Sequence, residues 1–555
     1  MDTIDQDRPI RRPAPGRKAG VLAAFAALAC ATALAAPAPD PPAPRAPRLE
    51  GLGAYTFPAG SRSKPAQRWV DQGMVLAFSF NAFESARAFD AATREDPSCA
   101  LCWWGLAWSL GPNINTDMDE TGHARVARAL ERARPLAARA SPRTRGLIEA
   151  LAKRHPRGKP IDEAGYERAM AALAKRFPKD ADLAFLSAEA LLNLHPYDWW
   201  EADGRPKAAT PEIERRLVAA LKRAPDHPGA LHYWIHLQES SAKPARASGE
   251  ADRLRHLVPG SPHLLHMPSH IDMRTGRYAE ASAANQRSIA ADRAYLAQVE
   301  AQGAYRVGYA AHNLHFLWAS AAMEGRSAVA IEAAKEAYGV ACGTRTNDLT
   351  TATLQHHAAL HLYALVRFAK WPEILRSLPP DTTEPYPLAV FHFARGTAAA
   401  RTGDVARARA ELASLARAAA DPRIEKAKVK NINTASRLAA IARATLEGEI
   451  ARAEGNLAAA VERLREATRH EDSLAYDEPH LWLAPTRHAL GTVLLEAGRP
   501  AEAERVFRED LTHYPENGWS LAGLARAQRD LGLDAEETER RFRAAWRAAD
   551  FALPR

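Results

Sequence analysis

The sequence predicts an all-α protein built from repeated helix–turn–helix hairpins, and three observations predict it. Ala and Arg are plentiful while aromatic residues make up only 7% of the 555 residues, a balance that favours helices over strands. A pattern of small, aromatic and Pro residues returns every 34 residues. Strand-like runs do not alternate with helical ones, which argues against a Rossmann or other parallel-sheet core. With 47% hydrophobic and 25% charged residues the chain has the apolar surface for a large core and is not globally disordered. A mean hydropathy of −0.35 and a single long apolar run, near the N-terminus, exclude a multi-span membrane protein. The 74 basic and 66 acidic residues are interleaved, so the net charge of +8 reads as a solvated helical surface and not as a nucleic-acid footprint.

Residues 1–35 read as an export signal. Arg8, Arg11, Arg12, Arg17 and Lys18 form a basic start, Val21 to Ala29 a short apolar run, and Ala33-Leu34-Ala35 a small-residue cleavage site. A single membrane anchor is the alternative, which the shortness of the run disfavours. Cys30 lacks a lipoprotein context, and Arg11-Arg12 lacks the rest of a twin-arginine pattern. The expected location is periplasmic or secreted, with no membrane span after cleavage. Residues 36–65 form a Pro/Ala-rich tether and lead-in. Cys99 and Cys102 lie one helical turn apart. In an oxidising compartment they would bridge, stay free or bind a metal, and a packed or oxidised pair is the plainest reading.

The repeats follow. In residues 66–99, Trp69 occupies position 4, Gly73 position 8, Ser85 position 20, Phe89 position 24, Ala92 position 27 and Pro97 position 32. The small residue at 8 lets two helices approach, the aromatic at 24 fills the gap between them, and the Pro ends the second helix. The register returns at 228–261, 262–295, 311–344, 389–422, 441–474, 484–517 and 518–551, with degenerate hairpins in 100–224 and 355–388. Looser insertions lie near 111–122, 195–210 and 296–310. This pattern resembles the tetratricopeptide repeat. The resemblance implies an all-α solenoid, a right-handed superhelix of about a dozen hairpins spanning roughly 66–551. Its sections are N-terminal and degenerate hairpins (66–224), a His-rich centre (225–388), and C-terminal repeats with a cap (389–555). The chain also resembles exported bacterial tetratricopeptide proteins through Gly111-Pro112-Asn113-Ile114-Asn115, His266-Met267-Pro268-Ser269-His270, His312-Asn313-Leu314-His315 and Asn517-Gly518-Trp519-Ser520-Leu521. That likeness implies fold and export but no activity.

The histidines carry the functional signal. Twelve of the 20 fall between 227 and 361. The resemblance places positions 2, 5 and 9 of each first helix on the concave groove, and steps of three and four residues keep side chains on one face. His232, His236, His263, His266, His270, His312, His315 and His356 occupy such positions on four successive helices. Neutral imidazole is the commonest protein metal ligand, so these eight are candidate ligands for a transition metal, with Cu, Zn or Fe as candidate ions. Glu239 faces the same way and is a candidate ligand or general base. Met267, Asn113, Asn115 and Trp200 are weaker candidates for ligand contact, as are Tyr476-Asp477-Glu478-Pro479 and Trp519 near the C-terminal end, where a capping hairpin also needs buried aromatics. His227, His256, His357 and His361 fall outside the groove positions and read as structural. Pro268, between His266 and His270, removes a helical hydrogen bond and kinks its helix.

No Walker loop, Gly-x-Ser-x-Gly, His-Glu-x-x-His or zinc-knuckle pattern is present, so familiar hydrolase and nucleotide-binding signatures are missing. Three functions follow from the His-lined groove. The first is an exported protein that binds a transition metal or an imidazole-recognised ligand. The second is a metal-dependent enzyme acting on a peptide or small molecule. The third is an adaptor that docks an extended partner peptide without metal. Converging imidazoles favour the first two, and splayed ones the third.

Overall fold

The computed structural model describes residues 46–118, 120–201, 204–299, 305–342, 351–430, 432–482 and 484–553. The signal, its cleavage site and Cys30 lie outside them. Twenty-six α-helices dominate the described residues, and the single two-stranded sheet pairs Lys428–Val429 antiparallel with Asn433–Thr434. No helix among the described residues is long and apolar enough to cross a membrane.

The helices pair as a solenoid of twelve successive hairpins, from Lys64–Phe78 with Ala82–Glu95 to Gly518–Asp530 with Glu536–Ala545. The predicted packing logic is visible in the first. Phe89 is fully buried between Gly73 and Gly105, where an added Cβ would come within 2.8 and 2.1 Å of its ring. The same wedge recurs with Phe507 between Gly491 and Gly523, at 2.4 and 2.2 Å. Helix starts follow ordinary capping, as where the Asn81 and Asn517 side chains accept backbone N–H groups of Glu84 and Ser520. Pro268 does more than kink its helix. The segment splits into Pro262–His266 and Pro268–Arg274, with Pro268 opening the second piece, where its missing N–H costs nothing.

Residues 46–62 carry no helix and pack on the first repeats. Phe57 is fully buried and stacks on Trp104 at 5.9 Å, and the Tyr55 hydroxyl donates to Asp182. Cys99 and Cys102 are disulfide-bonded at the start of the Ala100–Ser109 helix.

The array also closes on itself. The Trp519 indole N–H donates to the Ala322 carbonyl at 2.8 Å, almost two hundred residues away, and the Arg367 guanidinium lies 3.7 Å from the Trp519 ring. Asp550 accepts the backbone N–H groups of Ser327 and Ala328. Two turn glycines make this closure sterically possible. Gly276 and Gly325 have φ of 76° and 71°, and a Cβ there would lie 2.5 Å from the Pro515 carbonyl and 2.3 Å from Trp546. Two insertions between repeats, not anticipated from the pattern, complete the closure: the 420–434 segment with its small sheet, and the loop around Tyr476-Asp477-Glu478-Pro479.

Candidate metal centre

The predicted concave face is not an open groove. Seven of the eight predicted ligands are 0–4% exposed, and His312 is half-buried. The closure explains this. Tyr197 packs its ring 6.2 Å from His236, Tyr309 lies 5.0 Å from His263, and the Tyr476 hydroxyl donates to the Glu239 carbonyl at 3.1 Å. The chain's own side chains therefore occupy the surface on which a tetratricopeptide array would dock a peptide.

Six of the eight histidines converge in two trios, His232 with His236 and His263, and His266 with His270 and His312. Within each trio one ring nitrogen per residue lies within 4.8 Å of the others. A triangle with sides that short has a centre within about 2.8 Å of each corner, and small inward rotations reach the ~2.0–2.1 Å of a Zn–N bond. The helices place them simply. His232 and His236 are one turn apart on Pro228–Glu239, His266 and His270 flank the break at Pro268, and His312 opens Ala311–Met323.

The hydrogen bonds fix which nitrogen faces inward. His232 Nδ1–H donates to the Phe78 carbonyl at 2.5 Å. His236 Nδ1–H donates to Glu239 Oε1 at 3.1 Å, and His270 Nδ1 lies in close contact with Glu239 Oε2. His266 Nδ1–H donates to Asn285 Oδ1 at 2.7 Å, and Asn285 is held in that orientation because its Nδ2 donates to the Ala281 carbonyl at 2.8 Å. Each of these four rings therefore directs an Nε2 lone pair inward. The His266 and His270 Nε2 atoms face each other at 2.9 Å, and those of His232 and His263 at 3.1 Å. The second contact resolves itself, because His263 Nδ1 has no partner and its ring is free to carry the proton on Nε2. The first does not. His266 Nδ1 faces the Asn285 oxygen and His270 Nδ1 the Glu239 carboxylate, an arrangement in which a cation, either an extra proton or a metal ion, would satisfy both inward Nε2 atoms.

Burial makes the extra proton costly. It pushes His232, His263, His266 and His312 well below their ordinary pKa, and neighbouring imidazoles and, at His312, the Lys430 ammonium add to the effect. Burial pushes Glu239 up, but His270 and His236 outweigh it and hold the carboxyl well below its usual range. Glu239 is thus an anion committed to orienting two imidazoles, as the carboxylate does in carboxylate–histidine–metal triads.

His315 and His356 stand beyond the trios, with ring centres 5.2 Å apart, and His357 joins them at 5.7 Å from His315. His357 therefore belongs to the interior polar cluster, despite lying outside the repeat's groove positions. His356 Nδ1 meets the Tyr386 hydroxyl at 2.8 Å, whereas His356 Nε2 and both nitrogens of His315 and of His357 are buried without a partner. Met267 is fully buried in the core. Asn113 accepts the backbone N–H groups of Asn115 and Thr116, a local turn. Asn115 ties the Tyr197 hydroxyl to that of Tyr309, and Trp200 donates to the Leu237 carbonyl, so both fasten the cover. His227 caps its helix and meets Asp182, as a structural residue would.

Phe80, Asn285 and Lys430 escaped the sequence pattern. Phe80 sits in the first hairpin turn at φ 56°, a strained conformation for an aromatic residue, and packs 4.6 Å from His232 and 5.4 Å from His263. Asn285 is a second-helix residue. Lys430 pairs with Asp477 at 3.1 Å and donates to the Glu478 carbonyl. Tyr476 links Glu478 to Glu239. The only signal for Lys430 was surplus length, 18 residues between the 389–422 and 441–474 repeats, whereas the sequence offers Tyr476-Asp477-Glu478-Pro479 as a ligand contact near the C-terminal end.

No protein-family model matches the sequence, and no curated protein is significantly similar to it. Among solved structures, the chain is similar to human IFIT1, solved as a dimer with m7Gppp-AAAA, at 11% identity over 88% of this chain and 90% of that one, with a TM-score of 0.31. It is similar to the TPR domain of P58(IPK) at 12% identity, over 84% and 98% of the two chains, with a TM-score of 0.22. Yeast Tom70 gives 11% identity, 87% and 91% coverage and a TM-score of 0.23.

Proposed function

We propose that this protein is an exported helical-repeat protein that binds a transition-metal ion among its interior histidines. The observation that carries the reading is the His266–His270 contact, where two Nε2 atoms meet at 2.9 Å while His266 Nδ1 faces the Asn285 oxygen and His270 Nδ1 lies against the Glu239 carboxylate. An all-imidazole donor set suits Cu, Zn or Fe more than Mg or Ca. The Cys99–Cys102 disulfide supports an oxidising compartment for the folded chain. The test is the metal content of untagged protein made with its own N-terminal segment, beside a variant with His232, His266, His270 and His312 all changed to Ala. Near-stoichiometric metal lost in the variant supports the reading. No metal in either, even after reconstitution with Cu, Zn and Fe, overturns it.

A metal-dependent enzyme acting on a small molecule is the second reading, and the unpartnered buried nitrogens of His315, His356 and His357 favour it. They give the interior beside the second trio unused hydrogen-bonding capacity, which a polar substrate would satisfy.

A further inference from the structure

We infer that the interior binds two metal ions, one in each trio, with Glu239 as the carboxylate shared between them. The inference rests on the metal-binding reading above and deepens it. The trios are contiguous. His236 of the first lies 5.5 Å, ring centre to ring centre, from His270 of the second, and His263 lies 5.8 Å from His266. These two residue pairs span the same boundary, and Glu239 sits on it. One oxygen of Glu239 accepts from His236 and the other lies against His270 Nδ1. A single anion thereby orients one ligand in each trio. The backbone carbonyl of Phe78 does the same for His232, and the Asn285 amide for His266.

The pattern of unpaired atoms agrees. His236 Nε2 is buried and has no hydrogen-bond partner, although its ring is held in place from the other side by Glu239. A buried imidazole nitrogen left bare while its opposite nitrogen is fixed is what a ligand atom looks like without its ion. The first trio therefore carries its own sign of an ion, independent of the lone-pair contact in the second.

Charge sets the ligand class. Six neutral imidazoles and one carboxylate bring a single negative charge to two cations in a buried interior. Such a site favours singly charged ions such as Cu(I), or two divalent ions that share an anionic oxygen ligand derived from water. Three protein ligands per ion leave positions open for that oxygen, the arrangement of catalytic and not of saturated structural sites.

The test starts from metal-free full-length protein titrated with Cu and, separately, with Zn, followed by desalting and elemental analysis. The expected result is two ions per chain. A variant with His236 and His263 changed to Ala and one with His266 and His312 changed to Ala each keep one ion. Glu239→Gln, which preserves the side chain's shape, weakens both binding steps by about 10–100-fold. Two Cu(II) ions sharing an oxygen ligand also give an integrated electron-spin signal well below that of two isolated ions, a readout that does not depend on the variants folding. One ion per chain, lost in the variants of one trio only, overturns the two-ion inference and leaves the metal-binding reading standing. No ion under any condition overturns both.

Discussion

Replacing Asn285 by Leu removes the acceptor that fixes His266 while keeping the size of the side chain. In the parent protein His266 Nδ1–H donates to Asn285 Oδ1 at 2.7 Å, which aims the bare Nε2 at His270. In the variant the tautomer is free to invert. His266 Nε2–H then donates across the 2.9 Å gap to His270 Nε2, and the Ser269 hydroxyl, 3.4 Å from Nδ1, becomes the donor to that atom. One buried hydrogen bond is exchanged for another of similar worth, about 1 kcal/mol, so the thermal midpoint of the metal-free protein stays within about 2–4 °C. The metal pays the difference. It must re-invert the ring without its supporting acceptor, and loss of such a partner costs about 10–100-fold in affinity, or about 1.4–2.7 kcal/mol. The assay is competition for Zn(II) against a chromogenic chelator at neutral pH, with circular dichroism on the same samples. Asn285→Asp keeps the acceptor and retains affinity. Unchanged affinity in Asn285→Leu, or a loss matched by a loss of helix, refutes the argument that Asn285 acts by orienting His266.

Three more outcomes are expected. Gly105→Ala puts a Cβ 2.1 Å from the Phe89 ring and lowers stability by about 1–3 kcal/mol in urea unfolding, with Phe89→Leu in the same chain recovering part of the loss. Burial pushes the Glu478 carboxyl up to about 8, so the folded chain holds this proton longer than the unfolded chain. Stability from this group therefore falls as pH rises from about 4.5 to about 8 and is level above that, and Glu478→Gln gives a shallower fall of the urea midpoint across the same window. Trp519→Ala removes the indole bond to Ala322 and the surface under Arg367, costs about 3 kcal/mol, and exposes the C-terminal hairpins to limited proteolysis while the earlier repeats persist.

The repeats were legible because their packing is local. Gly73 and Phe89, or Gly491 and Phe507, are 16 residues apart in the chain and meet within one hairpin, so a fixed spacing encodes a fixed contact. The trios were legible for a related reason: three- and four-residue steps set the direction of His232, His236, His266 and His270, and neighbouring helices do the rest. Burial of the site was not legible, since it depends on how far the superhelix curls. Tyr476 and Glu239 are 237 residues apart, and no periodicity brings them together. Lys430 comes from a surplus segment between repeats, where the pattern says nothing, and its pairing with Asp477 joins two such segments. His357 shows the limit of face arithmetic. It lies next to His356, off the predicted face, yet it is buried 5.7 Å from His315, because a helix packed on more than one side presents more than one face to the interior.

The contact of Trp519 with Ala322 and that of Tyr476 with Glu239 have a consequence in time. In an ordinary open array a ligand comes and goes by diffusion along the concave face. Here the C-terminal repeats fasten onto central ones, so, on the metal-binding proposal, parting of that seam would limit exchange at every trio position but the half-buried His312. Affinity and lifetime would then be separate properties: an ion bound with modest equilibrium strength would be retained while the seam stayed shut, and a strong chelator would remove it no faster than the repeats breathe. On the same proposal the natural moment for loading is the folding of the chain itself, before its last hairpins dock.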